Sequence, residues 1–174
     1  MSRIDEESYW RWAHSDFLAN AERGRLAEFI VKTATNAPSL RRQEWDAYDV
    51  VTEEGIKVEV KASGYVQAWN QDKPSTIRFN ISESIAWHAE SNTYDTAPSR
   101  SADVYVFCLH HEQDRSRADP LDTSQWTFYV ISTKALDAAL GKQKSVGLAA
   151  LRGIGATEVS YEDLAAAIRA ASKE

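Results

Sequence analysis

Residues 56–61, IKVEVK, alternate apolar and charged side chains, and this alternation constrains the chain more than any other feature. Side chains on a β-strand point to opposite faces in turn. Ile56, Val58 and Val60 therefore share one face, which a core must cover. Lys57, Glu59 and Lys61 share the other face, with Glu59 and Lys61 about 7 Å apart along the strand. The run before it, YDVV at 48–51, is also strand-like, and TEEG separates the two. Together they predict a β-hairpin.

The turn decides what faces what. A three-residue loop at 53–55, a type I turn closed by Gly55 in the left-handed conformation, pairs Thr52 with Ile56, Val51 with Lys57 and Asp49 with Glu59. A two-residue loop would instead pair Asp49 with Val60. We adopt the three-residue register, which sets two carboxylates side by side. Directly opposed like charges are destabilising. One offset is a solvated salt-bridge face built with Lys57 and Lys61. The other is a divalent cation. Mg²⁺ suits hard oxygen ligands and takes one or two carboxylates together with substrate phosphate. A lysine beside it stabilises charge developing on a phosphate or helps to deprotonate water. The E-x-K spacing occurs by chance about once in a chain of this length, so these residues alone leave both readings open.

The rest of the chain reads as helix, then strands, then helix. Residues 4–13 predict a short helix and 16–35 a longer one, with an apolar stripe of Leu18, Leu26, Phe29, Ile30 and Ala34. Pro38 stops it. Residues 75–82 predict a third strand, 83–90 a helix and 91–102 a polar loop. VYVFCL inside 103–110 is apolar throughout, which predicts a central strand buried on both faces. A polar excursion of the functional or mobile kind follows, and 125–132 is the last strand. Thr133 is the expected cap of a helix ending at Gly141, and Ser160 with Asp163 resembles a capping box ahead of LAAAIRAA. This order predicts an α/β layered fold with a mixed central β-sheet flanked by helices. It reads as one domain over 1–174, with its core at about 16–132 and a C-terminal helical appendage at about 133–174.

Composition narrows the function classes. The net charge of −6 argues against a polyanion binder that works by bulk charge, though it permits a local basic cleft. No run of about 18 apolar residues is present, so no membrane span is expected, and the first residues carry no apolar signal core. The single cysteine, Cys108, suits a reducing, cytoplasmic setting and a buried small side chain. His110 and His111 are adjacent on a strand and point apart, so they cannot readily chelate one ion.

Asp49 on one strand and Glu59-Val60-Lys61 on the next, preceded by a helix bearing Glu28 in RGRLAEF, resemble the PD-(D/E)xK nuclease superfamily, the restriction-endonuclease-like fold. The likeness spans roughly residues 20–131. Tyr48 stands where that signature often has proline, and Asp46 is a second candidate for the first acid. The resemblance implies a metal-dependent nuclease, a hydrolase of phosphodiester bonds most naturally in DNA. It implies Mg²⁺ or Mn²⁺ held by Asp49, Glu59 and the Val60 carbonyl, with Glu28 binding a second ion or orienting water. Lys61 would stabilise the attacking water. The alternative is a non-cleaving, nucleic-acid-binding or assembly subunit of a defence or repair complex. A homodimer would suit the cutting of two strands.

Several further residues are candidates around this centre. Gln67, after the E-x-K strand, is a possible accessory contact to water or phosphate, its plain alternative being a surface amide. Trp69 could stack on a base. Arg25, Lys73 and Arg78 are candidate phosphate contacts within a modest basic set that includes Arg23, Arg41, Arg42, Lys142 and Lys144. Gly24 lies one turn before Glu28, where glycine costs a helix about 1 kcal/mol relative to alanine, and a close backbone approach would explain it.

Overall fold

A strand buried on both faces needs an apolar layer on each side, and β6 (Val104–His110) has both. All its residues are buried. The computed structural model describes residues 3–38, 42, 47–85, 87–88 and 93–174. Within them β6 is the centre of a five-stranded sheet of order β1-β2-β6-β7-β9, built from β1 (Val50–Val51), β2 (Lys57–Gly64), β7 (Trp126–Ser132) and β9 (Thr157–Val159). β2 runs parallel to β6 and the other pairings are antiparallel, so the sheet is mixed.

Period-two alternation sorts the strand residues between two cores. Val58, Val60, Val104, Val106, Cys108, Phe128 and Val130 face the first. That core is closed by Ala27, Ile30 and Val31 of α2 (Asn20–Ala34) and by Leu164 and Ile168 of α5 (Leu164–Ala171). Tyr105, Phe107, Leu109, Tyr129 and Ile131 face the second. It is closed by Leu136 of α3 (Thr133–Leu140), Leu151 of α4 (Leu148–Gly153) and a small ribbon of β3 (Arg78–Asn80) with β8 (Ser145–Gly147). α1 (Glu6–Ala13) stands outside both cores and buries no residue.

Four expectations need correction. Of residues 75–82 only Arg78–Asn80 is strand, and β3 is not in the main sheet: β2 lies between β1 and β6, and β3 pairs with β8 over the second face. In place of a helix at 83–90, Ser84 bridges Ser99 and β4 (Trp87–His88) pairs with β5 (Thr93–Tyr94), with residue 86 and residues 89–92 outside the described set. Ile85 is exposed, so no helical stripe is completed there. Phe29 is exposed as well, and Ala27 and Val31 take the inward positions of α2.

The fourth concerns the C-terminal segment, which is built into the fold and is no appendage. β9 forms one edge of the sheet, α3 and α4 help to close the second core, and α5 helps to close the first. Ser132 rather than Thr133 caps α3, its Oγ accepting from the Ala135 N–H at 3.2 Å. Gly141 ends that helix as expected. Asp163 precedes α5 without a side-chain cap bond. Truncating the fully buried Ile168 to alanine is expected to cost about 2–5 kcal/mol in urea denaturation, within one transition. A change below about 0.5 kcal/mol would mean that α5 is dispensable to the core.

Candidate active site

The hairpin turn fixes the geometry of the acidic cluster. Gly55 N–H donates to Thr52 O at 2.9 Å, Thr52 N–H donates to Ile56 O at 3.0 Å, and Gly55 has φ +83°. This is the three-residue loop, and the ladder pairs Val51 with Lys57 and Val50 with Val58. Regular pairing stops at Val50, one residue short of Asp49. Asp49 then brackets Glu59: its N–H donates to Val58 O at 3.0 Å, and its Oδ2 accepts from the Val60 N–H at 2.8 Å. The carboxylate thus replaces the backbone acceptor that a longer β1 would have supplied. The N–H and C=O of a strand residue point to the same side, so the Val60 carbonyl also faces this truncated edge.

Glu59 and Lys61 sit across from Tyr105 and Phe107 of β6, on the face that carries the second core. The apolar layer covers β6 and β7, but over β2 charged groups take its place. Lys61 Nζ is ion-paired with Glu59 Oε1, and both side chains are partly buried. Glu28 lies on α2 and is held by Arg42, whose Nη2 donates to Glu28 Oε1 at 2.9 Å. Asp46 lies outside the described residues, and Asp49 fills the hairpin position.

These neighbours set the protonation of Asp49. Burial raises its pKa most, to about 7, with the Glu59 and Glu28 carboxylates adding to the rise. The hydrogen bond from Val60 and the charge of Lys61 oppose it without cancelling it. A carboxyl that keeps its proton near neutrality is poised for a cation that would take the proton's place. Asp49, Glu59 and the Val60 carbonyl are hard oxygen donors, which fits Mg²⁺ or Mn²⁺ completed by water and phosphate oxygens. Among the described residues no group of three or more His, Cys, Asp or Glu side chains is close enough to hold an ion, so Glu28, occupied by Arg42, is not part of a ready-made triad.

Residues expected around the centre fall into different places. Gln67 is buried, neither a surface amide nor a free contact: its Oε1 accepts from Arg23 Nη1 at 3.1 Å, and its Nε2 donates to Gly64 O at 2.8 Å. Trp69 and Lys73 are exposed. Arg78 donates to Ser145 Oγ at 3.0 Å, and Arg25 pairs with Glu22 beside α2. No atom lies within 4 Å of where a Cβ on Gly24 would sit, so the expected close approach is absent there. It occurs at Gly64, where a Cβ would stand 3.1 Å from the Arg23 guanidinium carbon. Cys108 is fully buried, and burial drives its thiol pKa up. His110 is buried against Gln125, while the exposed His111 bonds Thr127, so the two do not share a ligand. Sequence reasoning missed Arg115 and the buried role of Arg23, since an arginine in a polar loop or a helix carries no periodic signal of its partner.

The mixed α/β fold sets two carboxylates and a lysine along the edge of one strand, and comparison with known families places the chain among the nucleases. Residues 7–144, from α1 to the residue before β8 and including every residue of the acidic site, match the bacteriophage T4 endonuclease IV family, and the chain belongs to that family. No curated protein matches the chain. Its substrate class is therefore nucleic acid, and no helix among the described residues is long and apolar enough to cross a membrane.

Asp49 also sets a pH dependence. An unfolded aspartate loses its proton near pH 3.9, whereas folded Asp49 keeps it to about 7. Between these values the folded chain holds a proton that the unfolded chain has lost, so this group lowers stability as pH rises from about 4 to about 7, and the loss then levels off. Asp49→Asn keeps an acceptor for Val60 and removes the penalty. Without divalent cations it should be more stable than wild type at pH 8 by on the order of 2 kcal/mol, with the difference gone below pH 4. Urea titrations across pH measure this, and parallel pH profiles would refute it.

Proposed function

We propose that the chain is a metal-dependent deoxyribonuclease with a restriction-endonuclease-like catalytic centre. The observation that carries this reading is that Asp49, bonded to the Val60 N–H at the truncated edge of β2, lies in the field of the Glu59–Lys61 ion pair and retains its proton to about neutral pH. Asp49, Glu59 and the Val60 carbonyl would hold Mg²⁺ or Mn²⁺. Such an ion, when bound, neutralises the two carboxylates and polarises a phosphate oxygen.

The chain's own groups do the rest. With Glu59 engaged by such an ion, Lys61 would be free of its ion pair, and its ammonium would face the attacking water and the charge gathering on phosphorus. Glu28, held by Arg42 and within the electrostatic reach of Asp49, would orient that water or hold a second ion. The water oxygen forms a bond to phosphorus as the bond to the 3′-oxygen breaks. The proton lost by the water passes to solvent, and the 3′-oxygen takes a proton from a solvent water and leaves as an alcohol. DNA is favoured because the superfamily that this hairpin resembles acts mainly on DNA. Retention of both acids and the lysine supports cleavage over a purely assembling role.

Two measurements test the assignment. With Mn²⁺ or Mg²⁺ the protein should cut plasmid, linear duplex or single-stranded DNA, chelation should stop it, and Lys61→Ala should slow it by about 10²–10³-fold. Cleavage that survives Lys61→Ala, or none on any substrate, would overturn it. Independently of activity, Mn²⁺ added at pH 6 in weak buffer should release close to one proton per chain, because the ion displaces the proton on Asp49. Release should fade by pH 8.5 and be absent in Asp49→Asn.

A further inference from the structure

The loop that leaves β2 is immobilised to a degree that surface loops seldom are. Gly64 O accepts from Gln67 Nε2 at 2.8 Å, Tyr65 O from Ser75 N–H at 2.9 Å and Val66 O from Arg23 Nη2 at 2.6 Å. Arg115 takes the next three carbonyls: its Nη1 donates to Gln67 O at 2.6 Å and to Trp69 O at 3.0 Å, and its Nη2 donates to Ala68 O at 2.9 Å. Every carbonyl from 64 to 69 is thus held. Arg23 reaches the loop from beneath, on α2, and Arg115 from the excursion at 111–122. The two loops meet because β2 and β6 are parallel, so the segments that follow them emerge at the same end of the sheet.

The two arginines at this end bond neutral oxygens. Neither Arg23 nor Arg115 makes an ion pair among the described residues, although the field of Asp16 reaches Arg23. Both guanidinium groups bond carbonyls and amide oxygens instead. Arg23 is 1% exposed, and its Nε has no partner. The excursion that carries Arg115 also carries Glu112, Asp114, Asp119 and Asp122, so this end of the sheet is not positive overall. On that same held loop stands Trp69, 56% exposed. A single exposed tryptophan is ordinary. This one stands on a backbone fixed by two arginines, on the loop that directly follows the strand bearing Glu59 and Lys61 in a chain of a nuclease family, where a nucleic-acid strand that reaches the acidic site would meet a held aromatic face.

We propose that residues 64–70 form a rigid docking platform for the nucleic-acid strand, in which the Trp69 indole stacks on a nucleobase outside the reacting linkage and Arg115 is the positioning residue that holds it. This rests on the nuclease reading for its substrate class, but the platform binds without chemistry. Base stacking on an aromatic side chain is sequence-tolerant, so the platform contributes affinity rather than base choice.

The test measures binding of a fluorescein-labelled 12-nucleotide single-stranded DNA by anisotropy, using Lys61→Ala protein with Mn²⁺ as the parent. Adding Trp69→Ala should weaken binding by about 5–100-fold, while Trp69→Phe stays within about threefold of the parent. Arg115→Ala should weaken binding to a similar extent, and combining it with Trp69→Ala should add nothing further. With Lys61 intact, Trp69→Ala should raise KM and leave kcat within about twofold. Parental affinity in Trp69→Ala overturns the platform, as does an Arg115→Ala loss that adds in full to that of Trp69→Ala. Trp69 is exposed and its variants should fold, so the first comparison stands even if Arg115→Ala unfolds. If the protein with Lys61 cleaves while Trp69→Ala binds normally, only the platform fails. If Trp69→Ala weakens binding but no cleavage occurs, only the catalytic reading fails.

Discussion

The burial of β6 on both faces is the constraint on which the rest of the structure depends. A strand that is apolar at every position cannot face water on either side, so helices and a ribbon must cover both. α2 and α5 close one face, while α3, α4 and the β3–β8 ribbon close the other. β2 lies beside β6 and shares both faces with it. On the α2 side its valines complete the first core. On the other side its residues are Glu59 and Lys61, so the second apolar layer gives way to charge. The acidic site sits at this boundary, where the dielectric falls but water still reaches.

That position explains the electrostatics. Carboxylates close together in water repel modestly, but partial burial strengthens the repulsion and penalises each charge by itself. Asp49 responds by holding its proton to about pH 7. Lys61 and Arg42 compensate Glu59 and Glu28, which leaves Asp49 without an ion pair among the described residues. A site of this kind is tense when all its acids are ionised. The tension is also directional, because the backbone bonds of Asp49 to Val58 and Val60 hold it against the strand and prevent it from swinging into solvent. At the far end of β2 two arginines are satisfied by neutral oxygens, and they fix the backbone of the loop that follows the strand.

How much was legible beforehand depended on whether the signal was local. The hairpin register was legible as far as Val50, because Gly55 suits the three-residue loop adopted over a two-residue one, whereas Asp49 lies past the regular ladder and bonds Val58 O and the Val60 N–H instead. The double burial of β6 was legible from an unbroken apolar run. The position of β3 was not: STIRFNIS reads as a strand wherever it pairs, and only the occupancy of both edges of β2 excludes it from the main sheet. The short β4 and β5 were missed because ESIAWHAE satisfies helical propensity as well as strand propensity, and the pairing of Trp87 with Tyr94 decides between them. Gly24 misled for a related reason, since its cost to a helix was real but the steric demand fell on Gly64, across the contact from Arg23.

The sequence by itself determined which residues are able to form the acidic centre, because strand period and turn length act over a few bonds and leave Asp49, Glu59 and Lys61 almost no other arrangement. It also marked Glu28 as an acid on the preceding helix. Only the tertiary structure decided that Glu28 is held by Arg42, that Gln67 is enclosed rather than offered to a ligand, that the C-terminal helices complete both cores and that Arg115 fastens the loop carrying Trp69. Each of these depends on side chains distant in sequence meeting at one place. The energy of such a meeting comes from burial and from pairing polar groups that water has left, and neither quantity exists until the layers have closed.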